Sequence, residues 1–220
     1  MGEAVSAARR ERRPRNAPAT RAVILEAART ILAKDGPEGL SLSEVAKRAG
    51  VNRGTAYQHF ATREKLIEAT IASVSDEMFR AILGDPEVVG DRDVGQVDTV
   101  DLTERLASFA MSNPELCRIW LLQVLSLSEP ARDPFWREFE GSLARFAATD
   151  RAQPNIDTEV LSVLVLAGSF LWPVWAGAHS QDEKERARLA HRFATEVLRL
   201  SMYGSLNPEK FPQIAAAFKR

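Results

Sequence analysis

Along almost the whole chain, apolar residues recur three to four positions apart, the period of a helix with one buried face. Ile24, Ala27, Ala28, Ile31 and Leu32 share a face of a helix expected from an N-cap at Thr20 to about Lys34. Asp35-Gly36-Pro37 ends it, because Gly accepts the left-handed conformation and Pro cannot continue a helix. Leu42, Val45, Ala46 and Ala49 mark a second helix, and Ala56 with Phe60 the inner side of a third. Thr62 caps a long fourth helix, Arg63 to about Leu83, in which Leu66, Ile67, Thr70, Val74, Met78, Ala81 and Ile82 form the stripe. Residues 84–95 are rich in Gly and Asp and are expected to be a loop. Helices are expected at about 97–112, 114–128, 134–150, 156–179, 182–204 and 208–219. No alternating run is long enough for a strand, and no internal repeat is present. The pattern is that of an all-α protein.

The stretch 41–60 carries the densest local signals. Ser41-Leu42-Ser43-Glu44 is a capping-box pattern, in which the serine hydroxyl and the glutamate each satisfy a free backbone N–H. Gly50 makes a sharp corner and Asn52 is placed to cap the next helix, Arg53 to Phe60. Opposite Ala56 and Phe60 the wheel places Gly54, Thr55 and Gln58, with Tyr57 and His59 on the flanks. That surface lacks the usual solvating Glu and Lys. Its side chains can donate to and accept from base edges and phosphates, and Gly permits close approach. Two short helices around a Gly corner, followed by a longer one, read as a helix-turn-helix.

Charge sharpens this picture through its distribution. The 220 residues carry 29 Lys+Arg and 30 Asp+Glu, a net charge of −1. Residues 1–65 hold 13 basic and 7 acidic side chains, whereas residues 66–220 hold 16 and 23. A basic module for a polyanion on an acidic body fits this asymmetry, as does a merely basic tail. Residues 1–19, with Arg9, Arg10, Arg12, Arg13 and Arg15, are too poor in large apolar side chains to form a core. They are either a solvated tail or an arm that adds DNA contacts. One cysteine, Cys117, excludes an intrachain disulfide and a Cys-based zinc site, and a cytoplasmic setting is expected. His59, His179 and His191 lack metal-ligand spacing, and no catalytic or nucleotide-binding motif is present, so neither an enzyme nor a metal or cofactor is expected. The charge-free run 160–181 is long enough to span a bilayer, but its polar residues and lack of basic anchors favour a helix buried on both faces, and no membrane association is expected.

The first 70 residues resemble the TetR (tetracycline-repressor-like) family of transcriptional regulators. The resemblance rests on Thr20-Arg21, Ile24-Leu25, Ala27-Ala28, Gly36, Ser41-x-x-Glu44-Val45-Ala46, Ala49-Gly50-Val51, Gly54-Thr55-x-Tyr57-x-His59-Phe60 and Glu64-x-Leu66. Leu32 stands where the family often has Phe, and Arg63 where it usually has Lys. The resemblance implies three parts: an arm at 1–19, a three-helix DNA-binding domain at 20–66, and a helical effector-binding and dimerisation domain at 67–220. Its partners would be a double-stranded operator, a small effector and a second copy of the chain. Ser41, Tyr57, Arg63 and Lys65 would touch phosphates, while Arg53, Gly54, Thr55, Gln58 and His59 would lie closest to base edges. The long fourth helix would be the lever that an effector moves.

Beyond residue 100 the chain is rich in aromatic residues, which serve either core packing or an apolar effector pocket. Phe109, Cys117, Trp120, Gln123, Trp136, Phe139 and Phe170 are the pocket candidates. The resemblance places the dimer contact on the last two long helices. Ala167, Gly168 and Ser169 would line it on one, and Ala190, Phe193, Ala194, Val197, Leu200 and Gly204 on the other.

Overall fold

The computed structural model describes residues 17–89, 93, 97–177, 180, 182–203 and 209. Among them are ten α-helices, two short 3-10 turns and no strand. The chain divides into two compact units, Met1–Thr70 and Ile71–Arg220. The arginine-rich arm up to residue 16, Gly204 and the expected last helix at 208–219 lie outside the described residues, apart from Glu209.

The first unit contains α1 (Ala17–Asp35), α2 (Leu42–Arg48), α3 (Arg53–His59) and the start of α4 (Arg63–Ile82). α1 begins three residues before the expected cap at Thr20, because Pro18 is compatible with a first helical turn, where N–H groups have no partner. Its buried side chains are Ile24, Ala27, Ala28, Ile31 and Leu32, the stripe read from the sequence. They meet Leu40, Leu42, Val45, Ala46, Ala56, Phe60 and Leu66 in a small core in which each is at most 6% exposed. Arg21 lies over the Phe60 ring, 4.5 Å from its centroid, and covers the edge of that core.

A 3-10 turn, Pro37–Gly39, joins α1 to α2 and is closed by Leu40 N–H donating to Pro37 O at 3.1 Å. Gly39 is required there by proximity: a Cβ at that position would sit 2.5 Å from Asp35 Cβ.

The second unit contains the rest of α4, a single turn α5 (Pro86–Val89), α6 (Thr99–Ser112), α7 (Pro114–Ser126), α8 (Pro134–Ala147), α9 (Thr158–Gly177) and α10 (Glu183–Tyr203). α5 falls inside the expected 84–95 loop; it forms because the Asp85 carboxylate accepts Glu87 N–H at 3.1 Å and Pro86 suits a first helical position. α9 is the central helix of this unit, packed by α6, α7, α8 and α10. α6 and α10 pack most extensively, around Ala107, Met111, Ala176, Leu189, Ala190 and Ala194. Trp172 of α9 donates its indole N–H to Leu189 O at 3.1 Å and stacks on Phe193 at 5.6 Å, tying α9 to α10.

Two expectations about these helices change. α9 is not buried on both faces: Ser162, Leu166, Ser169, Phe170, Pro173 and Ala176 point inward, but Val160, Val163, Leu164, Leu171, Val174 and Trp175 are 46–66% exposed. By length and composition it is the one helix among the described residues apolar enough to cross a membrane. The expected dimer residues also move. Ser169, Ala190 and Ala194 are at most 2% exposed within one protomer, and a Cβ at Gly168 would meet Phe193 at 3.6 Å. The small-residue stripes pack α9 against α10 and α6 of their own chain. Phe193, Ala167 and Val197 are half-buried, and only Leu200 of the set is exposed.

Gly39→Ala is expected to destabilise the protein by about 1–3 kcal/mol through overpacking against Asp35; urea denaturation followed by circular dichroism measures it.

Candidate DNA-binding surface

α2 and α3 have seven residues each, too few for a helix to persist alone in water. Side-chain caps and a backbone motif compensate. Ser41 Oγ accepts Glu44 N–H at 3.2 Å at the start of α2. At its end, Gly50 N–H donates to Lys47 O and Val51 N–H to Ala46 O, a Schellman pair that needs a left-handed residue at Gly50 (φ 65°). Asn52 Oδ1 then accepts both Thr55 N–H at 2.7 Å and the Thr55 hydroxyl at 2.9 Å. The start of α2, the corner and the first turn of α3 are thus fixed by these five hydrogen bonds within fifteen residues.

The outward face of α3 consists of Arg53, Gly54, Tyr57 and Gln58, all exposed. A Cβ at Gly54 would meet only Asn52 Oδ1, at 3.4 Å, so the outer side of that position is otherwise open to an approaching surface. The Arg53 guanidinium donates to the Tyr57 hydroxyl at 3.3 Å and lies 5.4 Å from the ring centroid. With a lone pair of that oxygen occupied, the Tyr57 O–H is left to donate outward. Gln58 presents an amide that can pair bidentately with adenine.

Thr55 departs from the expected reading surface. It is 4% exposed and its hydroxyl is spent on Asn52, so it helps hold the helix start. His59 is half-buried beside Phe60, their ring centroids 6.4 Å apart. Arg63 is also differently employed: Nε donates to Leu40 O at 2.8 Å and a terminal nitrogen to Pro37 O. Lys65 remains at the surface, where its hydrogen bond to Glu68 at 2.7 Å raises the ammonium pKa above its ordinary value.

In the second unit four of the expected pocket residues come together. Trp120 of α7 meets Trp136 of α8 in a stack at 6.2 Å and Phe170 of α9 edge-on at 5.2 Å. Phe139 joins through Phe135, at 6.1 Å, and Phe135 touches Trp120 at 5.4 Å. Phe135 was not among the sequence candidates; its i, i+4 spacing from Phe139, just after the Asp133-Pro134 helix start, is the signal that could have found it. Trp120 is 1% exposed, yet its indole N–H has no hydrogen-bond partner. Cys117, one turn earlier on α7, is 1% exposed, and burial pushes its thiol pKa up to about 12. Phe109 on α6 takes no part in these ring contacts, and Gln123 is half-buried on α7.

A capped three-helix arrangement whose third helix exposes hydrogen-bonding side chains defines a helix-turn-helix DNA-binding domain. Residues 24–70 match the family model for bacterial regulatory proteins of the tetR family. The chain carries a TetR-family DNA-binding domain. It is 30% identical over 73 residues to the HTH-type transcriptional repressor Rv3405c of Mycobacterium tuberculosis, a match that spans 33% of this chain and 39% of that protein. It is 27% identical over 180 residues to the HTH-type transcriptional repressor AcnR of Corynebacterium efficiens, spanning 76% of this chain and 87% of the relative. Among solved structures, a regulatory protein of the tetR family from Rhodococcus RHA1 superposes with a TM-score of 0.62 at 18% identity, over 86% of this chain and 98% of the other. That likeness extends the fold to the second unit.

Two outcomes are expected. Asn52→Ala removes both bonds at the start of α3 and costs about 1–2 kcal/mol in denaturant titration. The Cys117 thiol stays inert to a disulfide reagent at pH 8 in the native protein and reacts on unfolding. Because its folded pKa lies above the ordinary 9.0, the unfolded state loses its proton first, so this thiol's contribution to stability is fully present below about pH 9 and is lost as pH rises towards about 12.

Proposed function

We propose that this protein is a dimeric, ligand-responsive transcriptional repressor of the cytoplasm, released from a palindromic operator by a small, mostly apolar effector. The observation that carries the reading is the exposed arc Arg53, Gly54, Tyr57 and Gln58 on a helix whose ends are rigidly capped. Gln58 reads a base edge in the major groove, Tyr57 and Lys65 donate to phosphates, and Arg53 orients Tyr57. The Ser41 hydroxyl is exposed and can still donate to a phosphate while it accepts Glu44 N–H. The repressors to which the chain is similar support the direction of control.

A palindromic operator requires two copies of α3 about 34–36 Å apart. The outer face of α9 supplies the means: six large apolar side chains lie at helical spacing between Val160 and Trp175, and Leu200, Met202 and Tyr203 of α10 are exposed as well. A second copy applying the same face would cover it isologously. The effector reading rests on the aromatic cluster around Trp120. Its unpartnered indole N–H would be satisfied by one hydrogen-bond acceptor on an otherwise apolar ligand.

Mobility shift of the full chain on the DNA upstream of its own reading frame tests the proposal. Wild-type protein should bind that DNA in preference to an unrelated duplex, and Gln58→Ala should reduce the preference by about 1–3 kcal/mol. Equal binding to both duplexes would sink the reading. Leu164→Glu combined with Leu171→Glu should yield monomers in analytical ultracentrifugation and weaken operator binding. A double variant that still sediments as a dimer removes α9 from the interface.

A further inference from the structure

We infer that Arg63 is the joint between α4 and the helix-turn-helix, a positioning residue that sets the attitude of α2 and α3 and makes no phosphate contact of its own. This rests on the DNA-reading function proposed above. The geometry is that of a fork. Arg63 is the first residue of α4, just after the Thr62 cap, whose Oγ accepts Lys65 N–H at 3.2 Å. One edge of its guanidinium spans two carbonyls three residues apart, Leu40 O through Nε at 2.8 Å and Pro37 O through a terminal nitrogen. The remaining terminal nitrogen lies 3.8 Å from Glu64, so both N–H groups on the fork's edge are committed to the turn.

Both carbonyls belong to the turn that delivers the chain into α2. Pro37 O also accepts Leu40 N–H, and Leu40 itself is 1% exposed. The next residue, Ser41, caps α2. The Gly50 corner and the Asn52 cap then tie α3 to α2. A change in the direction of the first turn of α4 is therefore carried by two hydrogen bonds to the start of α2, and from there to α3. Lysine gathers its three donors on one nitrogen at the end of a flexible stem, so it lacks the planar fork and fixes the two carbonyls less rigidly.

The test compares wild type, Arg63→Lys and Arg63→Gln in the full chain. The probes are a duplex enriched by the wild-type protein from a random pool and a random-sequence duplex of equal length, both titrated by fluorescence anisotropy over a salt series. Arg63→Gln should lower the ratio of affinities for the two duplexes about tenfold, and Arg63→Lys should lower it by less. For both variants the salt slope on the random duplex should match wild type. Lys65→Ala serves as the comparison, with a slope smaller by about 0.9, the value for one phosphate contact. An Arg63→Gln slope that falls as far as that of Lys65→Ala, with the ratio retained, overturns the inference. So does a ratio equal to wild type, including the case in which a partly unfolded variant binds both duplexes proportionately less. Wild type that enriches no duplex overturns the DNA-reading function itself.

Discussion

A seven-residue helix gains too few internal hydrogen bonds to repay the cost of nucleation, and both helices of the DNA-binding motif have that length. Everything about the reading surface depends on how this deficit is met. Ser41 and Asn52 satisfy amides at the helix starts, Gly50 permits the left-handed corner, and Ala56 and Phe60 bury the inner side of α3 against α1 and α2. Because the inner face and the ends supply the stability, the outer face is free to hold Gly54 and Tyr57, poor choices for a helix that had to support itself, beside Gln58. The division of labour between scaffold and reader follows from helix length.

The same economy extends to α4. Its N-terminus is anchored to the α1–α2 turn through Arg63, so the long helix begins at the motif and continues past Thr70 into the second unit's sequence. Thr55 shows a parallel reassignment: a hydroxyl that looks available on a helical wheel is turned to the flank and consumed by Asn52. In both cases a backbone or cap group takes a polar side chain that the sequence pattern assigns to DNA.

In the second unit the decisive feature is how α9 distributes its apolar residues. Its inward face is shared among α6, α7, α8 and α10, and its outward face is left as a stripe of branched side chains ending in Trp175. Small residues do not mark that outward face. Ser169, Ala190 and Ala194 are small because α9, α10 and α6 approach closely within one chain. The stacked Trp175, Trp172 and Phe193 rings lead from the exposed stripe into this interior packing.

Helix periods, caps and the Gly50 corner were legible in the sequence because they are local: a capping hydroxyl, a left-handed glycine and a buried face each act within four or five residues of chain. By that route the sequence determines Ser41, Gly50 and Asn52 as helix ends, the α1 stripe, and the outward placement of Tyr57 and Gln58. The start of α1 and the turn at Pro86–Val89 escaped, since a proline early in a helix looks the same as one that interrupts it. Tertiary structure alone decided which carbonyls Arg63 meets, 23 and 26 residues away, and which side of α9 stays open. It also decided which aromatic rings gather around Trp120. Each depends on segments distant in the chain arriving at one place, and a one-dimensional pattern gives the period of a face but not the identity of what covers it.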